Sequence, residues 1–369
     1  MLQVVGSTNR GGIESFIMNV YRKIDRSKLQ FDFLTHTEKE GDFHREILDL
    51  GGRISHVTGR KQSYVRNRIE LDAFFRCNAG YRVVHQHVSS LTYIDPLMTA
   101  RRFGVPIRIV HSHNTREGGS KLHAIAHYLN RLRISHLATD YFACSDLASE
   151  WLFGKNSKIN QNVKVIPNGI DQCGFTYSPS VRDKVRKSLN LGDALVIGNV
   201  ANFSKAKNHL FVLGILQSIL EERPDTKLVL VGDGPLRFAI EEQANQLGIQ
   251  DSVLFMGKRG DVKDILQAID VFVMPSIYEG LPVALVEAQA AGLLTLVSST
   301  VTRNAQLTPN IAYMDLALGP RRWAQKILEE SRIYKRRDTS AYIVGAGFDI
   351  ASTARMLEGY YLNRMDVGR

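Results

Sequence analysis

Glu279 and Glu287 lie in Tyr278-Glu279-Gly280-Leu281-Pro282-Val283-Ala284-Leu285-Val286-Glu287-Ala288-Gln289-Ala290-Ala291-Gly292, just after the apolar run Val271-Phe272-Val273-Met274-Pro275. The run reads as a strand and the residues from Val283 to Ala291 as a helix. Pro282 suits the first turn of that helix, where its missing N–H costs nothing. Glu279 therefore belongs to the loop at the helix mouth and Glu287 to the helix itself. Backbone N–H groups at Gly280 and Leu281 add to the positive end of the helix dipole, an arrangement suited to a diphosphate. Ionised carboxylates only accept hydrogen bonds, so two of them beside a phosphate site can hold hydroxyls. A nucleotide sugar carries hydroxyls at both ends and a diphosphate between.

Other residues suggest further chemistry. Gly11-Gly12 follows the first apolar run and opens a helical pattern, a place where backbone approaches phosphate closely. His85 and His87 alternate on one strand, His111 and His113 on another. Alternate strand positions share a face, so a four-histidine metal set is conceivable, though no Asp or Cys stands nearby in sequence to complete it. His113 is followed by the polar Asn114-Thr115, whereas His111 reads equally as a core histidine.

The elements that must position these groups alternate along the whole chain. Apolar runs fall at Leu2–Gly6, Phe31–His36, Arg53–Val57, Val83–His87, Arg108–His113, Tyr141–Ser145 and Val163–Pro167. They resume at Leu195–Val200, Lys227–Val231, Val253–Met256, Val271–Pro275 and Leu294–Ser298. Amphipathic segments such as Ile13–Ile24, Leu122–Leu137, Leu210–Glu222 and Leu236–Leu247 lie between. Near-continuous Val/Ile/Leu runs suit parallel strands covered on both faces, and the alternation implies βαβ units. The turn-rich Ile166-Pro167-Asn168-Gly169-Ile170-Asp171 divides two Rossmann-like domains, residues 1–166 and 167–349. The last helix, from about Ile350 to Leu362, could pack on either domain, with residues 350–369 a candidate addition to the first. Such domains facing each other place a cleft at the carboxyl ends of both sheets.

The chain has 369 residues, enough for two cores, and a net charge of +10. Residues 1–165 hold 24 Lys+Arg and 15 Asp+Glu, so +9 of that charge lies in the first half. No zinc-finger, KH or RRM pattern accompanies it, which argues against nucleic acid and leaves a solvated face or an anionic membrane surface. No run reaches the roughly 20 apolar residues of a membrane span. With no signal peptide at the N-terminus and three scattered cysteines, the expectation is a cytoplasmic protein with reduced thiols, peripheral at most to the inner membrane face.

The segment around Glu279 and Glu287 resembles the E-x7-E motif of the retaining GT-B glycosyltransferases of family 4, including the flanking E-G-L-P and E-A-x-A-x-G. The resemblance implies a GT-B fold and transfer of a sugar from a nucleoside diphosphate sugar, with a UDP-sugar expected. It implies that Glu279 contacts the donor sugar and Glu287 the ribose hydroxyls, with Gly280 and Leu281 beside the donor. Gly11-Gly12-Ile13-Glu14 resembles the family's G-G-x-E on the phosphate side, and His113 its strand-end histidine near the reacting sugar. Gly198 to His209 resembles the stretch carrying G-R-x-x-x-x-K, with Lys207 at the lysine position, where its ammonium offsets charge on the leaving diphosphate. The arginine position holds Asn202, an amide without positive charge; Lys205 is a candidate to compensate. Gly232-Asp233-Gly234-Pro235 resembles a nucleotide-side loop, with the base expected near Lys258-Arg259. The family works without a bound metal, so neither metal nor other cofactor is expected.

Asn19 to Arg26, Phe31 to Leu34 and Glu287-Ala288-Gln289 resemble a branch that makes capsular or exopolysaccharide, implying a lipid-linked oligosaccharide acceptor. Two other readings stay open on sequence: a nucleotide-sugar 2-epimerase, which needs N-terminal carboxylates that form no matching motif, and a non-catalytic descendant, suggested by Asn202.

Overall fold

The computed structural model describes residues 1–114, 120–279 and 281–367 and divides the chain into two compact units. One comprises Met1–Gly169 with Asp349–Arg369, the other Ile170–Phe348.

The first unit holds β1 (Leu2–Val4), β2 (Asp32–Thr35), β3 (Ile54–His56), β4 (Val83–Val88), β5 (Ile107–Ser112), β6 (Asp140–Ala143) and β7 (Lys164–Val165). They form one sheet in the order β3-β2-β1-β4-β5-β6-β7, and every pairing is parallel. All six residues of β4 are buried, as a central strand covered on both faces requires. The final helix, Ile350–Val367, belongs to this unit because Ile350, Ala354, Leu357 and Tyr361 form one helical stripe. That stripe is fully buried with Phe16, Ile17 and Tyr21 of the helix Gly12–Lys23 and with Phe31. Each such large apolar side chain contributes roughly 2 kcal/mol of burial. Polar contacts fix its register: the Tyr361 hydroxyl lies 2.8 Å from His85 Nδ1, and Arg364 donates to Asp140 at 3.0 Å.

The second unit holds β8 (Val196–Val200), β9 (Lys227–Val231), β10 (Val253–Gly257), β11 (Val271–Met274), β12 (Leu294–Ser298) and β13 (Ile311–Met314). The order is β10-β9-β8-β11-β12-β13, again parallel throughout. β13 has no counterpart among the apolar runs read from sequence. It is a short, half-exposed edge strand whose Ile-Ala-Tyr-Met lacks both alternation and a continuous aliphatic run.

Both sheets reverse their winding once, between β1 and β4 in the first and between β8 and β11 in the second. In open α/β sheets ligands bind beyond the carboxyl ends of strands at such a switch point. Among the described residues no helix is long and apolar enough to cross a membrane.

Candidate functional site

The loops leaving β8 and β11 flank the second switch point, and the strongest sequence candidates sit on them. After β8 the chain runs through Ala201–Ser204 into a single tight helical turn, Lys205–Lys207, and then through Asn208 in the left-handed conformation, φ +56°. Asn tolerates that conformation better than most residues. Asn208 Nδ2 donates to the Pro275 carbonyl at 3.1 Å, and the Ile277 N–H donates to the Ala206 carbonyl at 2.8 Å. The two loops are therefore tied to each other by one side-chain and one backbone hydrogen bond, and this brings Lys207 to Glu279. Lys207 Nζ donates to Glu279 Oε1, the same oxygen that accepts from Ser276 Oγ at 2.9 Å. Both side chains are largely buried, at 22% and 11% exposure, so solvent screens the pair less than it would a surface ion pair.

Ser276 itself is fully buried, and its carbonyl accepts from Ser298 Oγ at 2.5 Å and Thr300 Oγ1 at 2.7 Å. These hydroxyls hold the start of the Glu279 loop against the end of β12. Sequence reading passed over them, since a serine and a threonine after a strand carry no motif signal.

Glu287 lies on the helix Val283–Ala290, with Pro282 immediately preceding it. Its side chain is partly exposed, but the carboxyl sits among atoms dense enough that burial raises its pKa to about 7. Among the described residues the carboxyl has no hydrogen-bond or ion-pair partner, in contrast to Glu279. Two residues further along the same helix, Gln289 is buried and clasps residues 305–308, accepting from Leu307 N and Thr308 N and donating to the Ala305 carbonyl. Leu281 is partly buried against the core of this unit. Gly280 lies outside the described residues.

Asn202 is exposed, with its Oδ1 against Gly234. A Cβ at Gly234 would stand 2.6 Å from the Phe203 carbonyl, and one at Gly232 (φ +139°) would overlap the Ala201 carbonyl. The Gly232–Gly234 loop thus needs its glycines to pack on the Ala201–Phe203 backbone. Lys205 is exposed, and Arg259 pairs with Asp261 at 2.6 Å, as a solvated surface cation does.

The first unit carries a second group of candidates. Gly11 caps the helix Gly12–Lys23, and a Cβ there would collide with the Glu14 carboxylate, which folds back over the helix start. Burial raises the Glu14 pKa. Gly12 is exposed. His113 follows β5, with its Nε2 2.8 Å from His87 Nδ1, while His87 Nε2 meets Gln3 Oε1 at 2.8 Å. Burial lowers all four histidine pKa values, His113 to about 3, so the cluster is neutral at physiological pH.

By residue type and spacing His85, His87 and His111 are a metal candidate, each offering a ring nitrogen within 4.8 Å of the others. His85 stacks on His87 at 24° and on His111 at 12°, and His87 and His111 are tilted by 36°, so the rings also pack on one another as core side chains. His87 has, besides, both nitrogens engaged.

A cavity of about 680 Å3 in the second unit is at the opposite ends of β8 and β11, beside Arg182, Arg186, Asp270 and Arg336. All three nitrogens of Arg186 donate to Gly192, Ala194, Ala268 or Asp270. All three of Arg336 donate to the carbonyls of Leu266, Gln267, Ile269 or Ala291. These guanidiniums close a helix end and a strand start. The carboxyl ends therefore remain the candidate site.

Comparison with known proteins identifies the family and the fold. Residues 181–310 match the family described as Glycosyl transferases group 1. A Bacillus subtilis (strain 168) protein named as a glycosyltransferase, EpsF, is 40% identical over 309 residues, 82% of this chain and 79% of that protein. The Escherichia coli UDP-Gal:alpha-D-GlcNAc-diphosphoundecaprenol alpha-1,3-galactosyltransferase is 31% identical over 225 residues, 59% of this chain and 58% of its own length. Among solved structures, Anabaena HepE in complex with UDP and glucose superposes with a TM-score of 0.78 at 16% identity, covering 98% of this chain and 99% of that one. The fold is thus that of the GT-B glycosyltransferases.

Proposed function

The chain belongs to the group 1 glycosyl transferases, and from that premise we propose that it transfers a sugar, with anomeric configuration kept, from a nucleoside diphosphate to a hydroxyl of a lipid-linked or growing polysaccharide acceptor in capsule or exopolysaccharide assembly. UDP is the proposed nucleotide. The observation that carries this reading is the Lys207–Glu279 pair, fixed by Ser276 between the two loops at the β8–β11 switch point. The E. coli relative's name specifies a UDP-sugar donor and a diphosphoundecaprenol-linked acceptor, and HepE was solved with UDP and glucose.

In this reading a diphosphate shares the Lys207 ammonium with Glu279, and Lys207 stabilises charge as it grows on the departing β-phosphate. The bond from the sugar's anomeric carbon to the phosphate oxygen breaks, and a bond to the acceptor oxygen forms on the same face. The acceptor's proton passes to the leaving phosphate. Glu279 holds the sugar hydroxyls and Glu287, its acceptor capacity unengaged, the ribose hydroxyls. Gly11 and Gly12 serve the phosphates by backbone approach, Leu281 and Asn202 border the donor, and His113 contacts the reacting sugar. The lipid-linked acceptor places the enzyme at the cytoplasmic membrane surface. No metal takes part, because Lys207 supplies the charge a divalent ion would otherwise bring.

Transfer from a panel of nucleotide sugars to a lipid-linked acceptor, with product anomers assigned by NMR, tests the reading. An axial donor linkage retained in the product supports it; an inverted product or no turnover with any donor overturns it. EDTA should leave the rate unchanged, and loss restored by a divalent cation would refute the metal-free step.

A further inference from the structure

The helix Lys121–Leu137 of the first unit is apolar on two opposite sides. Its inner side is built into the fold: His127 and Ile134 are fully buried, His127 stacks on Trp151 at 8°, and Asn130 donates to the Leu91 carbonyl at 2.6 Å. Arg131 donates to the Trp151 carbonyl at 2.6 Å on the same side. The outward side carries Leu122, Ile125, Leu129 and Leu132, exposed by 77%, 55%, 56% and 75%, with Tyr128 beside them at 55%. Their spacing, i, i+3, i+7 and i+10, makes one continuous stripe. A solvated helix places polar residues there, and a contiguous exposed apolar patch marks an interaction surface.

The charges around the stripe say what covers it. The helix contains no Asp or Glu, and exposed Lys121 and Arg133 border the stripe. At its first turn, Leu122, His123 and Ala126 share a groove of about 340 Å3 with exposed Arg60 and Lys61. Basic residues framing an outward apolar stripe, in a half of the chain with +9 net charge, match a bilayer carrying anionic headgroups: the cations meet phosphate while the leucines enter the acyl boundary. A second copy of the chain would bring Lys121 and Arg133 against their own kind.

We propose that this helix face, with the Arg60–Lys61 groove, docks the protein on an anionic phospholipid surface. The surface is distinct from the donor site of the second unit, and its test is independent of turnover. Co-sedimentation with phosphatidylcholine vesicles, with and without phosphatidylglycerol, should show binding that requires phosphatidylglycerol and weakens with salt. Lys121→Glu/Arg133→Glu should cost at least about fivefold for each lost cation. Leu122→Ser/Ile125→Ser/Leu129→Ser/Leu132→Ser should abolish sedimentation while nucleotide-sugar binding, measured by calorimetry, persists. Leu132→Trp, which removes nothing, should show blue-shifted fluorescence on phosphatidylglycerol vesicles only. Failure of the wild type to bind vesicles, an unshifted tryptophan, or equal binding by the quadruple serine variant overturns the proposal. So does a wild-type dimer that these serines dissociate without any vesicle binding. Vesicle binding alongside failure to bind any nucleotide sugar would instead count against the transferase reading alone.

Discussion

At the amino ends of β8 and β11, Arg182 and Arg186 converge on Asp270, with Arg336 beside them; beyond the carboxyl ends of the same strands stand Lys207, Glu279 and Glu287. The amino end has three arginines around a cavity of about 680 Å3, yet their nitrogens are committed to carbonyls that would otherwise lie unsatisfied at the end of the helix Val262–Ala268. Burial holds the Arg336 pKa down to about 10, as expected of a cation placed for structure. The carboxyl end has Lys207 with one carboxylate that shares it, exposed Lys205 on the same turn, and one carboxyl without a partner among the described residues. Charge count therefore does not predict ligand capacity. What makes the carboxyl end the candidate is that its polar groups stand on loops at a switch point and one carboxyl has no partner among the described residues.

The largest expected effect that sharpens this contrast is at Glu279. Glu279→Gln keeps the side chain's shape and removes its charge, so kcat/KM for sugar transfer should fall on the order of a hundredfold, with the thermal melt little changed. A rate near wild type would remove the carboxyl end from the chemistry. Arg186→Met is the opposite case. It leaves several buried carbonyls without a donor, so stability should drop by about 3 kcal/mol in urea titration while donor affinity stays at the wild-type value. A donor Kd weakened tenfold with unchanged stability would reverse the roles of the two ends.

The carboxyl end was more legible in sequence than the rest, for a physical reason. Glu279 and Glu287 lie on one strand–loop–helix unit, so spacing alone places both, and Val271–Met274 and Val283–Ala290 form as their patterns require. The pairing of Lys207 with Glu279 spans 72 positions and depends on how β8 and β11 register, which local pattern does not encode. The same holds for the Ser298 and Thr300 hydroxyls on Ser276 and for the three arginines at the amino end. The final helix was readable as a helix from Ile350, Ala354, Leu357 and Tyr361, but a stripe does not name its partner. The four histidines were readable as sharing a face, and β4–β5 register sets His87 opposite His111; the stacking of His85 on His87 and His111 was not.

Glu287 gives a smaller effect with a defined sign. Its pKa is raised by burial to about 7, above the ordinary value, so the folded protein binds that proton more tightly than the unfolded chain. The protonated carboxyl thus favours folding at low pH, and that contribution is lost as pH rises through about 7. Donor binding needs the opposite state, since the ionised carboxylate is the stronger acceptor for ribose hydroxyls. Donor affinity should therefore weaken as pH falls through 7, and Glu287→Gln should flatten that dependence, weaken binding about tenfold at pH 8 and raise the melting temperature there. A pH-independent donor Kd in the wild type would assign Glu287 to structure, like the arginines at the other end.

The smallest expected change tests whether the carboxyl end is short of positive charge. Asn202 is exposed and packs its amide on Gly234, so a longer side chain must leave that contact and extend outward, which the open surface allows. If Asn202 borders the leaving diphosphate, Asn202→Arg adds a second cation beside Lys207 and should raise kcat about threefold, less than a fully buried charge would give because solvent screens it. The fold should be unaffected. An unchanged kcat with a lowered KM would mean that the new cation helps donor binding equally in ground and transition states. No change in either would place the Asn202 loop away from the phosphates, and Lys205→Ala in the same background then decides whether Lys205 already supplies that charge: a fall in kcat says that it does, and an unaltered rate leaves Lys207 as the cation that separates this end of the sheet from the other.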